Sequence, residues 1–357
     1  MSWTVVGQQP AVKALARAVA DGRVAHAYLF AGPLHTGKTL TALQFAQALN
    51  CTGEEPPCGR CRACERIAAH THPDVEIVTV GGLCDEGEHR HAADERDIRI
   101  CHIRRLDRIV TRAPFEGRCR VVIIEPADAM NDPAANALLK TLEEPPPRTV
   151  LILITGREEM LLETIRSRAR RIAFAGLPRA DIERALRDRW DVEPARAAEL
   201  ARLSSGRLGW AVAALHDERM MQQRAEALAR AEELAGASLT PRFAFASELG
   251  NGYTRDRARV HALLEVWQTW WRDLLLIAAG RQDEAVLRER LDTLRPLAAQ
   301  CGVPGAARAL RALADARQQL DENASPVLAL EALMLALPEL RPNPVADRLG
   351  AGPRRGG

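Results

Sequence analysis

No stretch of this chain is apolar for long enough to cross a bilayer, and the opening residues MSWTVVGQQ lack the basic-then-apolar pattern of an export signal. These two absences predict a cytoplasmic protein with no membrane partner. An excess of charge is missing as well, since 49 basic and 47 acidic residues leave a net charge of only +2. Any contact with nucleic acid must then rest on a local basic patch, not on a basic whole. No internal repeat is evident, and no segment after Pro178 reads as a strand. What is present is a globular composition, 47% apolar and 27% charged, over 357 residues, which is enough for two or three cores.

Cysteine is unevenly spread. Of eight cysteines, four fall at Cys51, Cys58, Cys61 and Cys64, where two C-x-x-C steps share Cys61. Disulfides are disfavoured in a cytosolic chain, whereas four thiolates at this spacing complete the tetrahedral shell of Zn²⁺ and leave no open position. The cluster therefore predicts a structural zinc site that pins an insertion at about 51–64. Cys84, Cys101, Cys119 and Cys301 read as ordinary loop or core residues. The polar stretch from Gly81 to Asp97, with Cys84, His89 and His91 at irregular spacing, reads as a surface loop.

The most informative stretch is Ala31–Thr39, AGPLHTGKT. Gly32, Gly37, Lys38 and Thr39 complete a phosphate-loop pattern, with a strand-like run before it and a helical run after it. The glycines let backbone N–H groups turn toward phosphate oxygens, and the following helix presents its positive end. Lys38 would reach the terminal phosphates and the Thr39 hydroxyl would sit on Mg²⁺, so ATP with Mg²⁺ is the expected ligand. Strand-like runs recur at Asp74–Val80, Cys119–Ile124, Val150–Thr155 and Arg171–Phe174, alternating with helical segments such as Pro10–Ala20, Ile98–Arg112 and Asn131–Leu142. Buried strands alternating with helices predict a doubly wound parallel α/β domain over 1–176. A small helical domain over 177–215, an all-α domain over 216–340 and a disordered Pro/Gly/Arg-rich tail over 341–357 complete the expected layout. In the all-α part, Leu263, Val266, Trp267, Trp270, Trp271, Leu274 and Ile277 fall on one helical face and read as core or subunit interface.

A phosphate loop binds nucleotide, but hydrolysis needs an acidic partner at the end of another strand. The candidate is Glu125 after Val121–Ile124, and it is followed by Pro126, which has no side-chain base. Asp128 lies two residues further on and is expected to point elsewhere. Binding is expected, therefore, and autonomous hydrolysis is not. Glu163-Thr-Ile-Arg-Ser-Arg168 precedes the fifth strand, where an arginine either decorates the surface or stabilises phosphate charge in a neighbour. A stand-alone nucleotide kinase is disfavoured, because no acceptor-binding signature accompanies the loop.

Taken together, Val6-Gly7-Gln8, the phosphate loop, the four-cysteine insertion, His72-Pro73-Asp74, NALLKTLEEPP from Asn136 to Pro146 and Thr164–Arg168 resemble the AAA+ clamp loader subunits of bacterial DNA polymerase III. The resemblance is specific over about 1–215 and weaker beyond. It implies a subunit of a hetero-pentameric loader, with gamma/tau and delta subunits, the sliding clamp and primer–template DNA as partners, the DNA contacted without regard to sequence. It also implies that Val6 and Gly7 lie on the adenine side of the nucleotide, that 177–215 is a lid and that 216–340 is an oligomerisation collar. Two types exist within that family: the hydrolysing gamma/tau motor and the delta prime stator, which lends an arginine finger to its neighbour. The motor's acidic pair is Glu125-Pro126 here, and Gly209 stands where its lid arginine belongs. Ser167-Arg168 keeps the finger motif, although Ala169 replaces the usual cysteine. The stator type is the better match, with Arg168 acting in trans and with no polymerase activity of its own.

Overall fold

The computed structural model describes residues 3–84, 97–322 and 324–340. His89, His91 and the tail expected after residue 340 lie outside the described residues. The chain divides into two compact units, one ending at Leu215 and one beginning at His216.

The first unit is built on five short strands: β1 (Ala27–Ala31), β2 (Val75–Val78), β3 (Arg120–Ile124), β4 (Thr149–Thr155) and β5 (Arg170–Ala173). All pair in parallel, in the order β2-β3-β4-β1-β5. Every residue of β1, β3 and β4 is buried, so polar–apolar alternation is absent; both faces of these strands are covered by helices. Alternation survives as a choice between two cores. Leu29, Val122, Ile124, Leu151 and Leu153 face one layer, and Tyr28, Phe30, Val121, Ile123, Ile152 and Ile154 face the other. Full burial of each such side chain contributes roughly 1.5–3 kcal/mol before chain entropy is charged against it.

Connecting helices are α1 (Gln9–Ala20), α2 (Lys38–Asn50), α3 (Arg62–Ala68), α4 (Ile100–Val110), α5 (Asp132–Glu143) and α6 (Glu163–Arg168). The ends of α5 follow from its sequence. Asn131 Oδ1 accepts the Ala134 N–H at 3.1 Å, and Pro133 occupies the first turn. Pro145–Pro147 then bar continuation. Three more helices, α7 (Arg179–Trp190), α8 (Pro194–Leu203) and α9 (Leu208–His216), complete this unit.

The second unit is helical throughout its described residues: α10 (Glu218–Gly236), α11 (Leu239–Gly252), α12 (Arg257–Ala278), α13 (Leu291–Asp321, broken at Gly302) and α14 (Pro326–Ala336). The tryptophan stripe lies on α12. Trp267, Trp270 and Trp271 are at most 2% exposed, in the core that this unit forms by itself. Of the two readings of the stripe, core is the one its indole rings meet: they are covered by their own unit, and Trp267 Nε1 donates to Ala227 O at 2.9 Å.

Candidate nucleotide and metal sites

The phosphate loop leaves β1 at Ala31 and enters α2 at Lys38, as its sequence requires. Two of its glycines are obligatory. Gly32 has φ +148°, and a Cβ there would stand 2.1 Å from Phe174 O. Gly37, the residue before α2, has φ +90° and would press on Val5. Lys38 folds over the loop, its Nζ donating to Gly32 O (2.6 Å) and Pro33 O (2.5 Å). Burial pushes its pKa down to about 8, against the pull of the Glu125 and Asp128 carboxylates. Phosphate charge would relieve that burial penalty.

Glu125, at the end of β3, reaches the loop across the sheet. Thr39 Oγ1 donates to its two carboxylate oxygens at 2.7 and 2.9 Å. A hydroxyl and a carboxylate meeting in this way are the pair that Mg²⁺ would join. Next to Glu125, Pro126 offers no base. As expected, Asp128 does not share the partner of Glu125. The short turn Ala127–Ala129 folds it back so that it binds the Thr155 hydroxyl and Arg157 at the end of β4, close enough to act on Lys38.

Val6 and Gly7 lie on the N-terminal segment beside the loop, where Gly7, at φ +67°, leaves room for Leu177: a Cβ would meet that side chain at 2.2 Å. Gln8 is a hub that the sequence reading passed over. Its Nε2 donates to Thr36 O at 3.2 Å in the loop and to Ala175 O at 2.7 Å beyond β5. Gly209, in α9, donates its N–H to His35 O at 2.9 Å, and a Cβ there would stand 2.9 Å from the same oxygen. The helix rests directly on the phosphate loop and brings no cation from that position. Arg207 precedes α9, where its Nε bonds Ser204 O.

Arg168 is not part of this pocket. It ends α6, just before β5, whereas the phosphate loop follows β1. Because β5 and β1 run parallel, with Tyr28 opposite Arg170 and Ala31 opposite Ala173, the two features leave opposite ends of one strand pair. That is roughly 10 Å along the strands at about 3.3 Å per residue, before either loop is counted. Arg168 is held instead by Glu143 Oε1 (2.8 Å) and Thr164 O (3.0 Å), with about a third of its side chain exposed.

The four cysteines meet as their spacing implies. Cys51, at the end of α2, and Cys58, Cys61 and Cys64, leading into α3, bring their sulfurs within 4.8 Å of one another. A Zn–S length of about 2.3 Å implies sulfur–sulfur edges of about 3.8 Å, so the donors fit a tetrahedral ion with little movement. Burial opposes ionisation of Cys61, but hydrogen bonds from Thr52 and Cys64 outweigh it and bring that thiol to about 6. Burial pushes Cys64 up to about 12. Among the described residues no other group of this kind occurs.

The chain is similar to several known proteins. The family described as "DNA polymerase III, delta subunit" matches residues 7–178. A DNA polymerase III subunit delta' from Bacillus subtilis is 29% identical over 95% of this chain and 99% of its own length. Its counterpart in Pseudomonas aeruginosa is 39% identical over 59% of this chain and 61% of its own length. A gamma/tau subunit from Mycobacterium tuberculosis is 37% identical over 49% of this chain, but this spans only 28% of that protein. Among solved structures, a DNA polymerase III gamma subunit-related protein from Thermotoga maritima aligns over 91% of this chain and 97% of its own, at 17% identity and a TM-score of 0.41, too loosely to argue from. With residues 7–178 matched by that family and a delta-prime relative aligned from end to end, the chain is similar to the delta-prime subunits of DNA polymerase III.

Proposed function

We propose that the chain is the stator of a clamp loader. It binds Mg²⁺-ATP without hydrolysing it alone and supplies Arg168 to the ATP site of a neighbouring motor subunit. One observation carries this reading: the loop, Lys38 and the Thr39–Glu125 pair are intact, yet Pro126 and Gly209 stand where a base and a lid cation would be needed. Lys38 would neutralise the terminal phosphates, and Thr39 with Glu125 would hold the magnesium ion. Residues 177–215 would act as the lid and 216–340 as the collar that joins gamma/tau and delta subunits in a pentamer. The four cysteines would hold Zn²⁺ as a structural ion. The sliding clamp and primer–template DNA are the assembly's substrates, with the basic face of α4 (Arg104, Arg108) offering sequence-blind contact to phosphates.

Nucleotide titration of the isolated chain, paired with a turnover assay, tests the first half. Binding without turnover is expected; absence of binding would overturn it. For the second half, Arg168→Ala in a reconstituted loader should leave folding intact and cut DNA-stimulated ATPase by about 10³- to 10⁵-fold. Unchanged turnover would remove the finger role. A motor-type reading has one observation in its favour, the contact of Glu125 with Thr39. It predicts turnover by the isolated chain that is lost in Glu125→Gln.

A further inference from the structure

The pocket contains an ion pair that the phosphate-loop motif does not account for. Gly32, the first loop residue, donates its N–H to Thr155 O at 3.3 Å, so the end of β4 lies against the loop. Thr155 is 1% exposed. Its hydroxyl donates to Asp128 Oδ1 at 2.7 Å and accepts the Arg157 N–H at 2.9 Å. The other Asp128 oxygen receives Arg157 Nε at 3.1 Å and Nη2 at 2.9 Å. Asp128 also joins Glu125 in favouring the charged form of Lys38. One carboxylate is thus shared between two cations, Lys38 in the loop and Arg157 at the strand end. From the position where α9 meets the loop, Gly209 contributes no charge at all.

We infer that the Asp128–Arg157 pair sets this pocket's preference between nucleoside triphosphates and diphosphates, with Arg157 as the chain's own cation for the terminal phosphate. The inference rests on the nucleotide-binding reading above. A terminal phosphate adds negative charge at the far end of the loop, beside Asp128. Asp128 competes with it for Lys38 and repels it; Arg157 cancels that repulsion and offers a planar fork suited to phosphate oxygens. The Asp128 side chain is 7% exposed and fixed by Thr155, whereas that of Arg157 is 37% exposed. The arginine is the more exposed partner, and side-chain rotation would let it trade a carboxylate for a phosphate.

The pair makes a prediction in which two substitutions act with opposite sign. Mg²⁺-ATP and Mg²⁺-ADP are titrated separately into the full-length wild type, Arg157→Gln and Asp128→Asn, with circular dichroism to verify folding. Arg157→Gln should weaken ATP by about tenfold or more while changing ADP by less than about threefold, the range expected for one charge-assisted contact. Asp128→Asn keeps the shape and a hydrogen bond to Thr155, removes the repulsive charge and should raise the ATP-to-ADP affinity ratio. Arg157→Lys should restore part of the ratio. If both substitutions weaken both nucleotides alike, or if the ratio is the same in all proteins, the inference is wrong while nucleotide binding stands. If the wild type binds neither nucleotide, the binding reading fails and takes this inference with it.

Discussion

Asp74 shows how a fully buried carboxylate can stay charged. Its oxygens accept the backbone N–H groups of Phe115 (2.7 Å), Glu116 (2.9 Å) and Gly117 (2.8 Å), and Arg120 lies 3.1 Å away. Burial alone would raise its pKa, but these donors and the guanidinium outweigh burial and hold it below the usual carboxylate range. A depressed folded-state value means that the stabilisation is complete above the unfolded pKa of about 3.9 and is lost as pH falls through the folded value. Asp74→Asn leaves Arg120 with no carboxylate beside it. It should destabilise the first unit by about 3–5 kcal/mol at neutral pH and flatten its stability below about pH 4, the unfolded value. Urea unfolding at a series of pH values measures both effects; a variant with the wild-type acid limb would contradict this account.

At the scale of elements, Arg242 is a clasp between helix ends. It lies in the first turn of α11 and is 2% exposed. Nε donates to Leu234 O (2.8 Å), Nη2 to Ala235 O and Pro338 O (2.9 Å each), and Nη1 to Leu337 O (2.8 Å) and Met334 O (3.3 Å). These carbonyls belong to the last turns of α10 and α14 and to the residues just after α14. A permanent cation therefore meets the negative ends of two helices and satisfies groups they leave unpaired. Arg242→Lys keeps the charge but not the fork, and should cost the second unit about 2–4 kcal/mol, read from its thermal midpoint. The contact of α9 with the loop is testable in the same way. Gly209→Ala must separate the helix from His35 O, so amide exchange at Gly209 and in the phosphate loop should quicken; unaltered exchange would show that the contact is dispensable.

Legibility in the sequence followed physical range. Strands buried on both faces, the phosphate loop and the cysteine spacing are local patterns, and each appears where its residues predict it. The partners that Asp128 takes were not legible, because its direction depends on a three-residue turn, not on strand periodicity. Gln8, Thr155 and Arg157 were missed for a related reason. Their partners lie at Thr36, Ala175, Gly32 and Asp128, which only the strand order β3-β4-β1-β5 brings together. Arg242 carried no signal either, since an arginine whose partners are all backbone carbonyls has no complementary residue to find.

For the whole molecule, each unit builds its own hydrophobic core, two layers in the first and one in the second, so damage to one unit need not reach the other. The cysteine cluster ties the end of α2 to α3 within the first unit, so removing the zinc ion proposed there should act on that unit alone. Treatment with a strong chelator, or Cys61→Ser, should lower the first unit's unfolding temperature and expose residues 51–64 to protease. The transition of residues 216–340 should stay in place. A shift of both transitions together would mean that the units unfold as one.

The strand pair β1–β5 gives the molecule a direction. The phosphate loop leaves one end of the pair and the partly covered Arg168 leaves the other, so on the proposed function neither serves the other within one copy. Neighbours joined through these two ends would present unlike surfaces head to tail, an arrangement that builds rings or spirals and not a two-fold dimer. In such a row each member is defined by what it receives at one end and gives at the other. A member without hydrolytic chemistry at its receiving end, as proposed for this chain, would still be able to give.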